Sequence, residues 1–283
     1  MRGISLFLAC AVGAAGACTV VPEQQKELYR AGNLAAAKCF FEAGDAAKAF
    51  ALLAELEKRF PNDADVLYLE ARLHMRAFND ATFRMFAQAP NSYRVHELSG
   101  EIFETQNRYG DAAEEYRKAI ALKPDAPDLH FRLGRALLLQ NHDKESLAAA
   151  AEAFRQELKI SPGDAACEFQ LGQIAQVSAK QEEAKEHFER ALEMSPSFVQ
   201  AMIALGKIET AQKNYPRAMG LLQKATELQP ANETAHYALL TAYRDAGDLD
   251  RAKAEKKKLD ALQKPPEGEF SEFLKKLGEK TPQ

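Results

Sequence analysis

Amphipathic segments recur along the chain at an almost constant interval, and each one ends at a proline. Within a segment the apolar residues follow the spacing of one helix face, and proline cannot continue a helix. The marking prolines are spaced 29, 34, 38, 34, 34 and 35 residues apart, at Pro61, Pro90, Pro124, Pro162, Pro196, Pro230 and Pro265. The pattern therefore predicts a helical unit repeated about every 34 residues.

Alignment on these prolines shows three further columns. A small residue stands ten residues after most of the prolines, with its counterpart in the first unit, at Ala37, Ala71, Gly100, Gly134, Gly172 and Gly206. A second small column contains Ala49, Ala112, Ala150, Ala184, Ala218 and Ala252. A bulky column contains Leu53, Tyr116, Phe154, Phe188 and Leu222. Small residues allow two helices to approach closely, and bulky residues fill the space beside them.

The unit from Ala165 to Phe198 carries every column, with Leu171-Gly172, Ala184, Phe188, Ala191 and Pro196. This pattern resembles the tetratricopeptide repeat (TPR), which implies two antiparallel helices, A and B, in each unit. The resemblance implies an all-α, right-handed superhelical solenoid, because one helix pair cannot bury its apolar face alone. We count seven units, at 30–63, 64–92, 93–126, 127–164, 165–198, 199–232 and 233–266.

Three parts of the chain depart from the regular pattern. Unit 64–92 is short and degenerate. Unit 127–164 has about four extra residues around His142 to Ser146, which we expect to lengthen the turn between its helices. Residues 267–283 contain a last amphipathic pattern, and we expect a helix there that caps the open end of the solenoid.

The N-terminus has the features of a leader. A positively charged start precedes an uncharged, mostly apolar stretch from Ile4 to Ala17, which ends in small residues before Cys18. This pattern predicts a secretory signal peptide over 1–17. The small residues also resemble the lipobox of bacterial lipoproteins, although Ala15 replaces the usual Leu. That resemblance implies lipidation of Cys18, a tether over 18–29, and, with Thr19 next, an outer-membrane lipoprotein facing the periplasm.

Two alternatives to the lipid anchor stay open. Ordinary signal peptidase also prefers Ala-x-Ala, and its cleavage at the same bond would give a secreted or soluble periplasmic protein. The apolar stretch continues to Val21 and nearly reaches the roughly 20 residues of a spanning helix, so an uncleaved anchor is the other alternative.

Composition and motifs argue against several functions. The chain has 37 Lys and Arg against 41 Asp and Glu, and this balance lacks the basic character of a nucleic-acid binder. Motifs for a Walker loop, a zinc protease, a serine hydrolase or a C-x-x-C pair are absent from the sequence. We therefore expect a non-enzyme without cofactor, metal or small-molecule substrate.

The histidines and cysteines are expected to be packing residues. His96, His130 and His236 occupy one early column of helix A, and stacked repeats hold them too far apart to bind one zinc ion. Cys39 and Cys167 fall in apolar columns and read as small buried hydrophobic residues. They lie four units apart, so we expect no internal disulfide.

The surface of the A helices opposite the Leu-Gly face is the predicted binding groove, which the family resemblance places on the concave side. Apolar or aromatic residues recur there next to long polar ones, as suits a protein segment lying in a groove. The predicted residues are Lys38, Phe41, Tyr68, Arg72, Glu101, Phe131, Arg135, Phe169, Gln173, Ile203, Lys207, Tyr237 and Arg244. Packing alone is the alternative explanation of the aromatic column. The polar column lacks the Asn of the family's chaperone-tail clamps, so we expect a different ligand.

These features predict a scaffold in the cell envelope that holds another protein and assists the assembly of an envelope machine. The architecture and anchor resemble those of TPR lipoproteins that assemble pili or secretins. The alternative is an accessory subunit that presents substrate to a separate envelope enzyme. Lys256-Lys257-Lys258, within the basic run 251–264, is expected to be a solvated face, with anionic lipid as the alternative contact.

Overall fold

The computed structural model describes residues 18–263, and in this range the chain is all-helical. Thirteen helices follow one another without an intervening strand between these limits. They are α1 (Lys26–Glu42), α2 (Ala46–Arg59), α3 (Ala64–Gln88), α4 (Tyr93–Thr105), α5 (Tyr109–Leu122), α6 (Leu129–Gln140), α7 (Lys144–Ile160), α8 (Ala165–Val177), α9 (Gln181–Met194), α10 (Val199–Ala211), α11 (Tyr215–Leu228), α12 (Glu233–Asp245) and α13 (Leu249–Leu262). The all-α prediction is confirmed.

The helices belong to two compact units. The first unit ends at Pro90 and contains α1 to α3. The second unit begins at Asn91 and contains α4 to α13, which form five consecutive helix pairs. In each pair the first helix is an A helix and the second a B helix, and the even-numbered helices α4 to α12 are the A helices of the second unit.

Proline determines where the helix before each new repeat ends. In six cases the last helical residue lies two positions before a proline, for example Met194 before Pro196 and Leu228 before Pro230. The missing N–H and the fixed φ of proline prevent the helix from continuing. The next A helix is often capped by a polar side chain two residues after the proline. Asp164, for example, accepts hydrogen bonds from the backbone N–H groups of Ala166 and Cys167.

Most residues of the predicted small and bulky columns lie in the core, whereas Ala71 of α3 is exposed. Gly172 of α8 faces the ring of Phe188 of α9 so closely that a Cβ atom at Gly172 would lie 2.5 Å from a ring carbon. The same approach is seen for Gly100 with Tyr116, Gly134 with Phe154, and Gly206 with Leu222. These four bulky side chains are fully buried. The two columns are therefore partners across each helix pair, which explains why they recur together.

A three-residue turn connects the A helix to the B helix in all six pairs. In five of these turns the middle residue is left-handed, with φ of 85° at Gly44 and 82° at Gly247. Glycine adopts this conformation without steric cost. Asn107, Ala179 and Lys213 hold the same position with positive φ, so the turn geometry is retained without glycine.

Unit 64–92 differs from the predicted helix pair. It forms the single 25-residue helix α3 instead. Residues 64–88 contain neither glycine nor proline, and most are good helix formers, so nothing in the sequence breaks the helix. The described chain therefore has six helix pairs and one unpaired helix.

The extra residues of unit 127–164 do not lengthen its turn. Only residues 141–143 separate α6 from α7, as in the regular units, whereas α7 has 17 residues against 14 in α9. The Lys144–Ala151 segment consists mainly of helix formers, and the Asp143 carboxylate caps it by accepting a hydrogen bond from the Ser146 N–H. The insertion is thus absorbed as an additional helical turn.

The predicted signal peptide (1–17) and capping helix (267–283) lie outside the described residues. Within 18–263, none of the helices is long and apolar enough to cross a membrane.

Candidate protein-interaction surface

Five of the predicted groove residues on the A helices of the second unit are exposed, and together we call them the A-helix surface. It consists of Arg135, Gln173, Lys207, Tyr237 and Arg244, all of which were predicted from the sequence and all of which are exposed. Tyr237 keeps 59% of its surface accessible. Arg135, Gln173 and Lys207 occupy equivalent positions in successive A helices, so they project from one side of the stack.

Charge on the A-helix surface is uneven. Arg135 is paired with Glu104 of the preceding A helix at 2.5 Å, which neutralises that end. Gln173 and Lys207 make no hydrogen bond or ion pair through their side chains with residues 18–263. Within residues 18–263, the ammonium group of Lys207 and the amide of Gln173 are therefore available to a ligand.

The apolar column belongs largely to the core, which corrects part of the predicted groove. Ile203 is only 6% exposed and packs with the core residues of the last two helix pairs. Phe131 and Phe169 are half-buried, and their ring centroids lie 5.6 Å from those of Phe154 and Phe188 respectively. Tyr237 of the same column is exposed to solvent. The rings of Phe131 and Phe169 are less exposed because they pack on the bulky residues of their own repeats.

The predicted residues of the first unit divide in the same way. Lys38 and Arg72 are exposed, whereas Phe41 is 9% exposed and belongs to the core of α1 and α2. Arg72 donates a hydrogen bond to the Tyr68 hydroxyl at 3.1 Å. Tyr68 is 63% exposed. Phe41, like Ile203, cannot line an open groove.

Helices α4 and α6 are linked by two ion pairs between adjacent A helices. Arg132 contacts Glu101 at 2.9 Å, beside the pair of Arg135 with Glu104. The predicted groove residue Glu101 is therefore half-buried and already paired. Arg94, by contrast, pairs with Glu97 of its own helix.

The Tyr116 hydroxyl lies buried beside this ionic cluster. Burial, reinforced by the negative charge of Glu104, raises the pKa of Tyr116 to about 12. An unfolded tyrosine has a pKa near 10. The folded state thus holds the phenolic proton more tightly than the unfolded state.

We expect the stability contributed by the Tyr116 proton to be present below pH 10 and lost as the pH rises toward 12. Deprotonation would place a charge in a buried site, which disfavours the folded state. Urea unfolding between pH 9 and 12 should show a steeper loss in the wild type than in Tyr116→Phe. Identical pH profiles would contradict this assignment.

Histidine and glutamate pair across the two helices of a repeat, an arrangement that the sequence analysis missed. His96 contacts Glu115 at 2.7 Å, and His236 contacts Glu255. Glu168 and His187 form the same pair in reversed order, at 2.6 Å. Each pair is 19 residues apart, a spacing that is visible in the sequence. Between residues 18 and 263 no three metal-binding side chains come together.

The unpaired helix α3 exposes several large apolar side chains. Their exposed fractions are 63% for Met75, 52% for Phe78 and 75% for Phe83. In a regular repeat a B helix would cover such residues, and α3 continues as one helix instead. Exposed apolar clusters of this kind are typical of interaction sites, so the first unit carries a second candidate surface.

The cysteines correct two predictions. Cys18 and Cys39 form a disulfide, so the expectation of no internal disulfide is wrong, and Cys39 is half-buried instead of a core residue. Cys39 and Cys167 do not pair with each other, and Cys39 pairs instead with Cys18, which precedes the first repeat. Cys167 is free and fully buried as expected, and burial raises the pKa of its thiol.

Comparison with family models identifies TPR repeats in two stretches. Residues 100–141 match a TPR repeat model, and residues 169–233 match a tetratricopeptide repeat model. A search of curated proteins finds no significant match.

Several solved structures share the fold at low sequence identity. The pilF protein of Pseudomonas aeruginosa is 18% identical, with 87% of this chain and 97% of that chain covered and a TM-score of 0.55. YrrB, described as a TPR protein with an unusual peptide-binding site, is 17% identical, with 69% and 98% covered and a TM-score of 0.53. MamA from Desulfovibrio magneticus is 16% identical, with 62% and 97% covered and a TM-score of 0.55. The predicted TPR fold is confirmed.

Proposed function

We propose that this chain, a tetratricopeptide repeat protein, is a non-catalytic scaffold of the cell envelope that binds a segment of another protein on its A-helix surface. The TPR fold supports a role in protein–protein interaction, since stacked repeats present extended binding surfaces. The main observation behind the proposal is that Gln173 and Lys207, on successive A helices, are exposed and have no side-chain partner among residues 18–263. Side chains without a partner within this range can bond to a ligand without first breaking an internal contact.

The chemistry of this surface favours an extended segment with acidic side chains. Lys207 would face a carboxylate, the Gln173 amide would bond to the polar backbone of the segment, and Tyr237 would supply an aromatic contact. The leader-like residues 1–17 support a location in the envelope. The role in assembling an envelope machine is proposed from the resemblance of the repeats and the leader to those of TPR lipoproteins, whereas the likeness to pilF is one of fold.

Charge reversal at Lys207 should weaken partner binding by about tenfold, because the loss of a complementary charge contact at an interface costs about 1 kcal/mol or more. Lys224 on the B helix α11 is a matched control, because it is also an exposed lysine without an ion pair within 18–263. Lys207→Glu and Lys224→Glu would be compared by pulldown from envelope extracts, with thermal melting to confirm folding. Equal retention of the partner by both variants would contradict the proposed surface.

A further inference from the structure

Residues 18–25 precede α1, and a disulfide bond links this segment to the helix. The disulfide joins Cys18 to Cys39 of α1, with the two Cα atoms 5.6 Å apart. A lipid thioether would use the same Sγ atom of Cys18. A single chain can therefore carry the disulfide or the lipid at Cys18, and the two fates exclude each other.

Asn33 of α1 is committed to this segment by hydrogen bonds that do not involve the cysteines. Its side chain is fully buried. The Val21 N–H donates to Asn33 Oδ1 at 2.7 Å, and Asn33 Nδ2 donates to the Val21 carbonyl at 3.0 Å. Departure of residues 18–25 would leave this amide without either partner, and an unpaired buried amide destabilises a fold.

Packing and ion-pair contacts also hold residues 18–25 against α1 and α2. A Cβ atom at Gly32 would lie 2.2 Å from Val21 Cγ2, so the absence of a side chain at Gly32 makes room for Val21. Arg59 at the end of α2 forms an ion pair with Glu23. The Arg59 guanidinium also stacks over the Tyr29 ring at 4.4 Å from its centroid. A free tether would use none of these contacts.

We propose that Cys18 is a structural cysteine whose disulfide fastens residues 18–25 as a strap over the start of the first helix pair, in place of a lipid-bearing tether. The oxidation removes the thiol protons and two electrons from Cys18 and Cys39 and forms one S–S bond. The oxidant is a disulfide of an envelope thiol–disulfide exchange protein, which is reduced to two thiols. This source of oxidant rests on the proposed envelope location, whereas the strap itself does not.

The chemical state of Cys18 can be read from the full-length protein expressed with its own leader and purified from envelope fractions. Intact mass should show a chain beginning at Cys18 without acyl groups and lighter by two hydrogens, and denaturant should reveal one free thiol, that of Cys167. An acylated N-terminus or three free thiols would overturn the strap.

Recovery only from the cytoplasm would overturn the envelope proposal. Oxidation of that uncleaved chain with glutathione disulfide would still decide the strap, which predicts two free thiols, those of Cys10 and Cys167.

Two cysteine variants separate the strap from the lipid anchor. The strap predicts that Cys18→Ser and Cys39→Ser lower Tm by the same amount, that the double variant loses no more, and that all three fractionate like the wild type. Lipidation predicts that Cys18→Ser alone leaves the membrane fraction and that Cys39→Ser changes nothing. Asn33→Ala supplies a check that leaves both cysteines in place, because the strap predicts a lower Tm for it and an unchanged Tm would oppose the strap.

Discussion

Replacement of Phe188 by alanine is expected to destabilise the second unit by about 3–5 kcal/mol, the usual range for a buried phenylalanine. The Phe188 ring is fully buried and covers Gly172, so its removal leaves a cavity where two helices meet. The backbones of α8 and α9 cannot move together to fill this cavity, because the two helices are already in close contact. Urea unfolding followed by circular dichroism would measure the loss.

Phe169→Ala is the matched control for Phe188→Ala. The Phe169 ring contacts the Phe188 ring at a centroid distance of 5.6 Å but is only half-buried. Phe169→Ala should therefore lower the free energy of unfolding clearly less than Phe188→Ala does. A larger loss for Phe169→Ala would show that the half-buried ring, and not the ring above Gly172, holds the repeat together.

The second large effect is expected at Glu157, a fully buried carboxylate on α7. Glu157 accepts hydrogen bonds from the backbone N–H groups of Asp128 and Phe131, at 2.9 and 3.3 Å, at the start of α6. Asp128 is left-handed with φ of 70° and makes no side-chain cap. Glu157 therefore caps the N-terminus of α6 from the neighbouring helix.

Glu157→Ala should cost about 1–3 kcal/mol, the penalty for leaving buried donors unpaired. Glu157→Gln keeps the shape and one acceptor oxygen, so it should retain part of the lost stability. Both variants would be compared with the wild type by urea unfolding. Equal stability of the alanine and glutamine variants would show that the hydrogen bonds to α6 contribute nothing.

The core could be predicted from the sequence because its geometry constrains single positions. Each close approach needs a residue as small as Gly172 opposite one as large as Phe188, and each repeat must end before a proline. These requirements leave columns that a single sequence displays. The predicted fold class and the positions of the regular helices follow from them.

The exposure of individual side chains, the missing B helix and the cysteine pairing depend on contacts that the columns do not encode. Helical spacing places Ile203 and Tyr237 on the same face, yet the neighbouring helices bury the first and leave the second 59% exposed. The missing B helix of unit 64–92 could not be predicted from the lack of glycine and proline within α3, because the turns at Asn107, Ala179 and Lys213 also contain neither residue. The partner of Cys18 could not be predicted either, because Cys18 precedes the first unit and no column of the repeat relates it to Cys39.

The proposal that the A-helix surface binds the partner is tested most directly by site-specific photo-crosslinking in intact cells. A photoreactive phenylalanine analogue would replace Lys207 on α10 in one strain and Lys224 on α11 in another. Binding on the A-helix surface predicts a discrete crosslinked product from position 207, with little from position 224. A crosslinked partner from position 224 without any product from position 207 would contradict binding on the A-helix surface.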